Sequence, residues 1–156
     1  LGRIPWPGAP AAEARAAIGD AIAAMDLAAL QDRPVSRLSG GERARALMAR
    51  VLATRPRWLL ADEPLANLDL AHAAALIARL RDQARAGAGV VLVLHDLTSA
   101  MNHADRVLVL GGGRLLHDGP PEQALGADVV REVWGMAARW LGEPGARALS
   151  LAPASA

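Results

Sequence analysis

The sequence of 156 residues contains no cysteine, no lysine, no tyrosine and no phenylalanine. Without cysteine, the chain can form neither a disulfide nor a thiolate metal site. All 17 basic side chains are arginine, so the glycine-rich phosphate loop that ends in Lys-Ser/Thr is also excluded. No apolar run reaches the roughly 18 residues needed to span a bilayer, so we expect any membrane role to depend on a partner.

Charge and aromatic content argue against a nucleic-acid binder. The arginines are scattered, the formal net charge is only +1, and four tryptophans are the only aromatic residues. The chain therefore has neither a basic stripe nor a series of rings for stacking bases. A hydrophobic content of 53% suits one compact domain. The chain begins at Leu1 without a signal-peptide pattern, so we expect it to be part of a longer cytoplasmic protein.

Two helices are predicted in the first 56 residues. After a Pro- and Gly-rich entry, residues 11–25 place Ile18, Ile22 and Met25 on one helix face. The second helix runs from Gly40 to about Thr54, because Ser39 and Glu42 have the spacing of a capping box. The expected buried stripe of the second helix is Ala44, Leu47, Met48, Val51 and Leu52.

From residue 57 the pattern changes to strand, helix, strand. Trp58–Ala61 and Val90–Leu94 read as strands, and Leu70–Ala86 reads as the helix between them. This order predicts a crossover between parallel strands. The second strand is apolar at every position, so we expect it to be buried on both faces. The further predicted elements are a helix over 97–103, a hairpin with strands 107–110 and 114–116, helices over 121–126 and 128–141, and a frayed tail beyond Glu143.

Three acidic or imidazole side chains follow the two predicted parallel strands. Asp62 and Glu63 end the first strand, and His95 follows the second. Ligands bind at the carboxyl ends of parallel strands, so we expect these side chains to converge at one edge. One carboxylate can organise a magnesium ion, the other can orient an attacking water, and the imidazole can contact a terminal phosphate.

A second anion site is predicted at Ser39, Gly40 and Gly41. Glycines allow close approach of the backbone to a phosphate, and the first helical N–H groups are unpaired. Taken singly, each motif has an ordinary structural explanation: a capped turn, a helix start or a structural histidine. Their order along one chain is what indicates nucleotide hydrolysis.

At these residues the chain resembles the carboxyl-terminal part of an ATP-binding cassette (ABC) transporter ATPase. Leu38–Glu42 resemble the signature motif, and Trp58–Glu63 resemble the Walker B strand. Ala66–Asp69 are similar to the D-loop, and His95 to the switch histidine. The resemblance implies an α/β P-loop NTPase fold, with a parallel sheet and a helical subdomain, that lacks its Walker A part. The implied domains are a helical subdomain over 1–56, the carboxyl part of the nucleotide-binding core over 57–142, and a disordered tail over 143–156.

The resemblance also implies a role for each site residue. Asp62 would hold Mg²⁺ through water, Glu63 would be the general base, and His95 would contact the terminal phosphate. The signature residues Ser39, Gly40, Gly41 and Glu42 would hold ATP bound on an opposite subunit, and Asp69 would cross the same interface. The implied partners are a second ATPase subunit and transmembrane permease subunits, at the cytoplasmic face of the membrane. Because Walker A is absent, we do not expect this chain alone to bind ATP.

A subgroup is indicated by Gly2–Trp6 and Leu70–His72, which are similar to importers of iron siderophores, haem and vitamin B12. Two alternatives stay open. One is a DNA-maintenance ATPase of the same superfamily, and the other is a non-catalytic remnant that only pairs with a partner.

Overall fold

A computed structural model describes residues 11–66 and 68–153, which form two compact units divided after Val93. This division differs from the boundary expected at residue 56, because the first two helices share a core with the strand and helix that follow them. Gly2–Trp6 and Asn67 lie outside the described residues. Within the described part of the chain, no helix combines the length and apolarity needed to cross a membrane.

In its described residues, the first unit contains one parallel strand pair and three α-helices. Its elements are α1 (Ala11–Ala24), two short 3₁₀ turns (Ala28–Leu30 and Val35–Arg37), α2 (Gly40–Leu52), β1 (Trp58–Asp62), α3 (Leu70–Arg85) and β2 (Gly89–Val93). β1 and β2 pair in parallel, with Trp58 opposite Gly89 and Asp62 opposite Val93. The predicted strand-helix-strand unit is therefore confirmed. A Cβ atom at Gly89 would overlap the exposed Trp58 ring, so a larger residue at this position would require the ring to move.

The core of the first unit lies on one side of this strand pair. Its buried residues come from α1 and α2, from the residues that directly follow these two helices, and from β1 and α3: Ala21, Met25, Leu27, Ala49, Leu52, Ala53, Leu59, Leu76 and Leu80. On the opposite side, Trp58 and Leu60 are 68% and 74% exposed, and Val91 and Val93 are 42% and 51% exposed. The expectation that the second strand is buried on both faces is wrong here, because its outward side chains have no covering layer among the described residues.

The buried side of α2 also differs from the predicted stripe. Leu52 is buried as expected, but Leu47 and Val51 are exposed and line an open groove with Arg50 and Thr54. Arg45 turns inward instead, and its guanidinium donates to the carbonyls of Met25 and Asp26 at 2.9 and 3.0 Å. The carbonyl oxygens that follow α1 thus hold a charged side chain on the inward side of α2.

The second unit combines short helices with two antiparallel hairpins. Its elements are α4 (Leu97–His103), β3 (Val107–Gly111), β4 (Arg114–Gly119), α5 (Pro121–Ala124), α6 (Ala127–Trp134), β5 (Met136–Leu141) and β6 (Ala148–Pro153). The predicted hairpin turns at Gly112 and Gly113, whose φ values of +55° and +74° suit a tight turn of the primed type.

Two expectations for the end of the chain are wrong. The helix predicted over 128–141 ends at Trp134, because Gly135 adopts a left-handed φ of +67°. Residues 136–141 then pair with residues 148–153 as antiparallel strands, so the described part of the predicted tail is ordered up to residue 153. The indole N–H of Trp140 donates to the Leu125 carbonyl at 2.7 Å and ties this hairpin to the end of α5.

Candidate functional site

The signature residues form a capped and solvent-exposed helix start. The Ser39 hydroxyl oxygen accepts from the Glu42 N–H at 3.3 Å, and the Glu42 carboxylate accepts from the Ser39 N–H at 2.7 Å. The predicted capping box is therefore confirmed. The backbone bond from Ser39 is the main reason that the pKa of Glu42 is lowered.

This loop leaves donors and space for an incoming anion. The bond to Glu42 uses the Ser39 hydroxyl as an acceptor, so its O–H proton remains able to donate. Gly40 is exposed, and a Cβ atom built on it would meet nothing within 4 Å. A ligand can therefore approach the first turn of α2 from outside the chain, where the helix dipole favours negative charge.

Glu63 has an unusual backbone conformation directly after β1. Its φ of +46° lies in the left-handed region, which non-glycine residues seldom adopt. The Glu63 N–H donates to the Val93 carbonyl at 3.0 Å, and the Glu63 carbonyl accepts from the Ala66 N–H at 3.1 Å. Two backbone bonds thus hold a conformation that costs about 1–3 kcal/mol. Asp26 and Arg55 also have positive φ values, so the conformation supports a functional role only together with the position of Glu63 after β1.

Asp62 lies at the end of β1, with an exposed carboxylate one residue before Glu63. Across the described residues, no group of three or more His, Cys, Asp or Glu side chains could hold a metal alone. Magnesium usually keeps several waters and needs only one or two protein carboxylates when phosphates supply other oxygens. The hard oxygen donor of Asp62 therefore fits the predicted water-mediated role.

Asp69 is the N-cap of α3, and both of its carboxylate oxygens contact His72. Its Oδ1 accepts from the His72 N–H at 2.9 Å, and its Oδ2 lies 2.7 Å from His72 Nδ1. The His72 backbone bond, followed by the ring bond, lowers the pKa of Asp69. The sequence analysis missed this contact, although Asp-x-x-His has the spacing at which a side chain reaches back to a helix cap.

His95 belongs to the second unit and lies two residues beyond the end of β2. The next residue, Asp96, caps α4 by accepting from the Thr98 N–H, the Ser99 N–H and the Ser99 hydroxyl at 2.9, 3.1 and 2.6 Å. Partial burial raises the pKa of Asp96, but these bonds outweigh it and lower the pKa overall. The start of α4 is therefore anchored next to His95. The convergence of His95 with Asp62 and Glu63 stays a prediction.

Comparison with known proteins points to one family. Residues 8–66 match the family model described as ABC transporter. The hemin import ATP-binding protein HmuV of Streptomyces coelicolor is 44% identical over 98% of this chain and 55% of its own length. The protein of the same name from Nocardia farcinica is 47% identical over 86% of this chain and 47% of its own length.

Solved structures show the same fold. A structure described as an inward-facing metal-chelate type ABC transporter superposes with a TM-score of 0.76 at 22% identity, covering 96% of this chain and 61% of that one. CbiO1 of Clostridium perfringens, described as part of the ABC transporter complex cbiONQ, superposes with a TM-score of 0.67 at 27% identity, covering 81% and 51%. This chain spans about half the length of the curated relatives it matches. The chain belongs to the ATP-binding proteins of ABC transporters, and it corresponds to the carboxyl-terminal part of its longer relatives.

Proposed function

We propose that the whole protein is the ATP-hydrolysing subunit of an ABC importer, and that its cargo is haem. The observation that carries the hydrolytic role is the position of Glu63. It follows Asp62 at the end of a parallel strand and is held in a left-handed backbone conformation by the Val93 carbonyl. The relatives named hemin import ATP-binding protein favour haem over siderophores or vitamin B12.

In this proposal Glu63 acts as the general base. Its carboxylate accepts a proton from a water molecule as the water oxygen bonds to the terminal phosphorus of ATP and the bond to ADP breaks. Asp62 would hold Mg²⁺ through a water, and the ion would supply positive charge that offsets the phosphate charge. His95 orients the terminal phosphate from the loop that Asp96 anchors.

The signature loop would act on a second subunit. The Ser39 hydroxyl and the N–H groups of Gly40 and Gly41 would be the donors of the first turn of α2, and Glu42 stabilises that turn through the capping box. An ATP held by the opposite subunit would supply the phosphate oxygens that these donors bind. Two copies would therefore face head to tail with ATP between them, and Asp69 would lie at the same interface.

The implied partners are transmembrane permease subunits, which would place this protein at the cytoplasmic face of the membrane as a peripheral subunit. A DNA-maintenance ATPase is the second candidate. Pro64 after the paired acids, the lack of heptad repeats and a net charge of +1 argue against it.

The test is a Glu63→Gln substitution in the protein extended at its amino end to the length of its relatives. We expect ATP binding to persist and turnover to fall by about a hundredfold or more, because the general base is lost. Glu143→Gln, which removes an exposed carboxylate in the second unit, serves as the control.

Near wild-type turnover of the Glu63→Gln protein would contradict the assignment of the base. If the unsubstituted extended protein shows no turnover, the non-catalytic remnant is favoured. Turnover that depends on added DNA would support the second candidate.

A further inference from the structure

His72 makes a contact with Asp69 that a helix cap does not require. An N-cap needs one side-chain oxygen to accept from a backbone N–H in the first turn, and Asp69 Oδ1 meets that need through the His72 N–H. The second carboxylate oxygen, Oδ2, lies 2.7 Å from His72 Nδ1. Both oxygens of one carboxylate are therefore oriented by a single residue.

The exposure of these side chains shows that the ring contact adds little to folding. The Asp69 side chain is 65% exposed and that of His72 is 36% exposed, so water competes for both groups. Exposed pairs of this kind contribute little to stability. What the contact does achieve is to restrict the carboxylate to one orientation before any partner arrives, which lowers the entropy cost of a later contact.

A large apolar side chain also lies exposed at the same corner. Leu70, at the first position of α3, is 91% exposed, the highest value among the exposed large hydrophobic residues. An apolar side chain beside an oriented carboxylate suits a protein surface that is covered on assembly. Asp69, Leu70 and His72 thus form one small patch, which we name the α3 corner.

We propose that His72 is a positioning residue that holds the Asp69 carboxylate ready for a second copy of this chain, which covers the α3 corner when ATP closes the dimer. This inference rests on the proposed function, since it requires Asp69 to lie at the ATP-dependent interface. His72 acts through Asp69 and makes no contact with nucleotide.

The experiment measures ATP-driven dimerisation by sedimentation, in the amino-extended protein that carries Glu63→Gln. His72→Ala should raise the dimer dissociation constant about five- to thirtyfold while the melting temperature of the ATP-free monomer stays unchanged. His72→Asn should restore dimerisation, because its amide nitrogen can occupy the position of Nδ1, whereas His72→Gln should not. Arg81→Ala, an exposed change on the same helix, is the control.

A double-mutant cycle with Asp69→Ser tests whether His72 acts through Asp69. Serine keeps an oxygen that can accept at the helix cap but has no second oxygen for the His72 ring. In that background, we expect His72→Ala to have no further effect. Unchanged dimerisation of His72→Ala, an undiminished effect in the Asp69→Ser background, or a fall in melting temperature that accounts for the loss would overturn the proposal.

The parent protein, which carries Glu63→Gln with His72 intact, distinguishes failure of the proposed function from failure of this inference. If the Glu63→Gln protein with His72 intact binds no ATP or forms no dimer with it, the proposed function fails and this inference fails with it. If the parent dimerises and His72→Ala dimerises equally well, only the role of His72 is wrong.

Discussion

At the scale of single residues, the proposed chemistry depends on positions where a fixed backbone leaves hydrogen-bond donors or a carboxylate exposed to a ligand. Gly40 begins α2 with open space around it, and Ser39 retains a hydroxyl proton beside it. Glu63 is held at the end of β1 in a conformation that few residues adopt. Both positions combine a fixed backbone with an exposed outer surface.

Gly40→Ala separates folding from function at the signature loop. The added methyl meets nothing within 4 Å, and alanine is favoured over glycine in a helix by up to about 1 kcal/mol, so we expect an unchanged or higher melting temperature. In the amino-extended protein, the methyl should crowd the phosphates of the facing subunit and lower turnover about tenfold or more. Gly19→Ala, which also meets nothing within 4 Å, is the matched control in α1. Full turnover with Gly40→Ala would contradict close approach of a ligand at this position.

The sequence predicts the capping box of α2 but not the backbone conformation of Glu63. The capping box is readable because Ser39 and Glu42 are three positions apart and bond within one helical turn. The left-handed backbone of Glu63 cannot be predicted from the sequence, because the Val93 carbonyl that helps to hold it lies thirty residues away. A residue before proline ordinarily prefers extended backbone, so local preference predicts the opposite conformation.

At the scale of elements, an ion pair joins the two sides of the β3–β4 hairpin at the end opposite its turn. Arg106 Nε and NH2 donate to the two carboxylate oxygens of Asp118 at 2.6 and 2.7 Å. This two-bond geometry lowers the pKa of Asp118, chiefly through the side-chain bond with Arg106.

The ion pair makes the stability of this hairpin depend on pH. Because the folded pKa of Asp118 is lowered, its stabilisation is present above the ordinary aspartate pKa of about 3.9 and is lost as pH falls through the folded value. Asp118→Asn should therefore lower the melting temperature at neutral pH, and the difference from wild type should shrink below about pH 4. Thermal melts of the amino-extended protein at several pH values check this, with exposed Asp32→Asn as the control. A difference that is constant with pH would contradict the account.

Elements with local signals were predicted well, and those with distant partners were not. The helix Leu97–His103 and the β3–β4 hairpin follow from caps, spacing and the glycine turn. The β5–β6 pair was missed, because its strands show no clean alternation and are held by distant groups. Trp140 bonds the Leu125 carbonyl, and the Asn102 side chain exchanges two bonds of 2.8 Å with the Arg147 backbone.

At the scale of the whole molecule, the first unit presents an uncovered apolar face. Trp58, Leu60, Val91 and Val93 point away from its core, and their strands pair only with each other among the described residues. We propose that the amino-terminal part found in the longer relatives covers this face. Such a face otherwise favours association with other chains.

The chain alone should therefore be aggregation-prone. We expect light scattering to show association at micromolar concentration, and we expect Leu60→Thr to reduce it because that change lowers the apolar area of the open face. Leu47→Thr, on the exposed side of α2, tests whether the effect is specific to the strands. Amino-terminal extension should suppress association in all variants. A monodisperse, cooperatively melting chain that hydrolyses ATP would contradict this placement of the missing part.

We propose that this chain carries the signature and hydrolytic residues of an ABC ATPase, and that the ATP-binding loop lies in the further part found in its longer relatives. The most direct measurement is a titration of labelled ATP with magnesium, on this chain and on the amino-extended protein in parallel. We predict saturable binding by the extended protein and none by the chain alone. Equal saturable binding by both would show that these 156 residues hold the nucleotide themselves, and would contradict the claim.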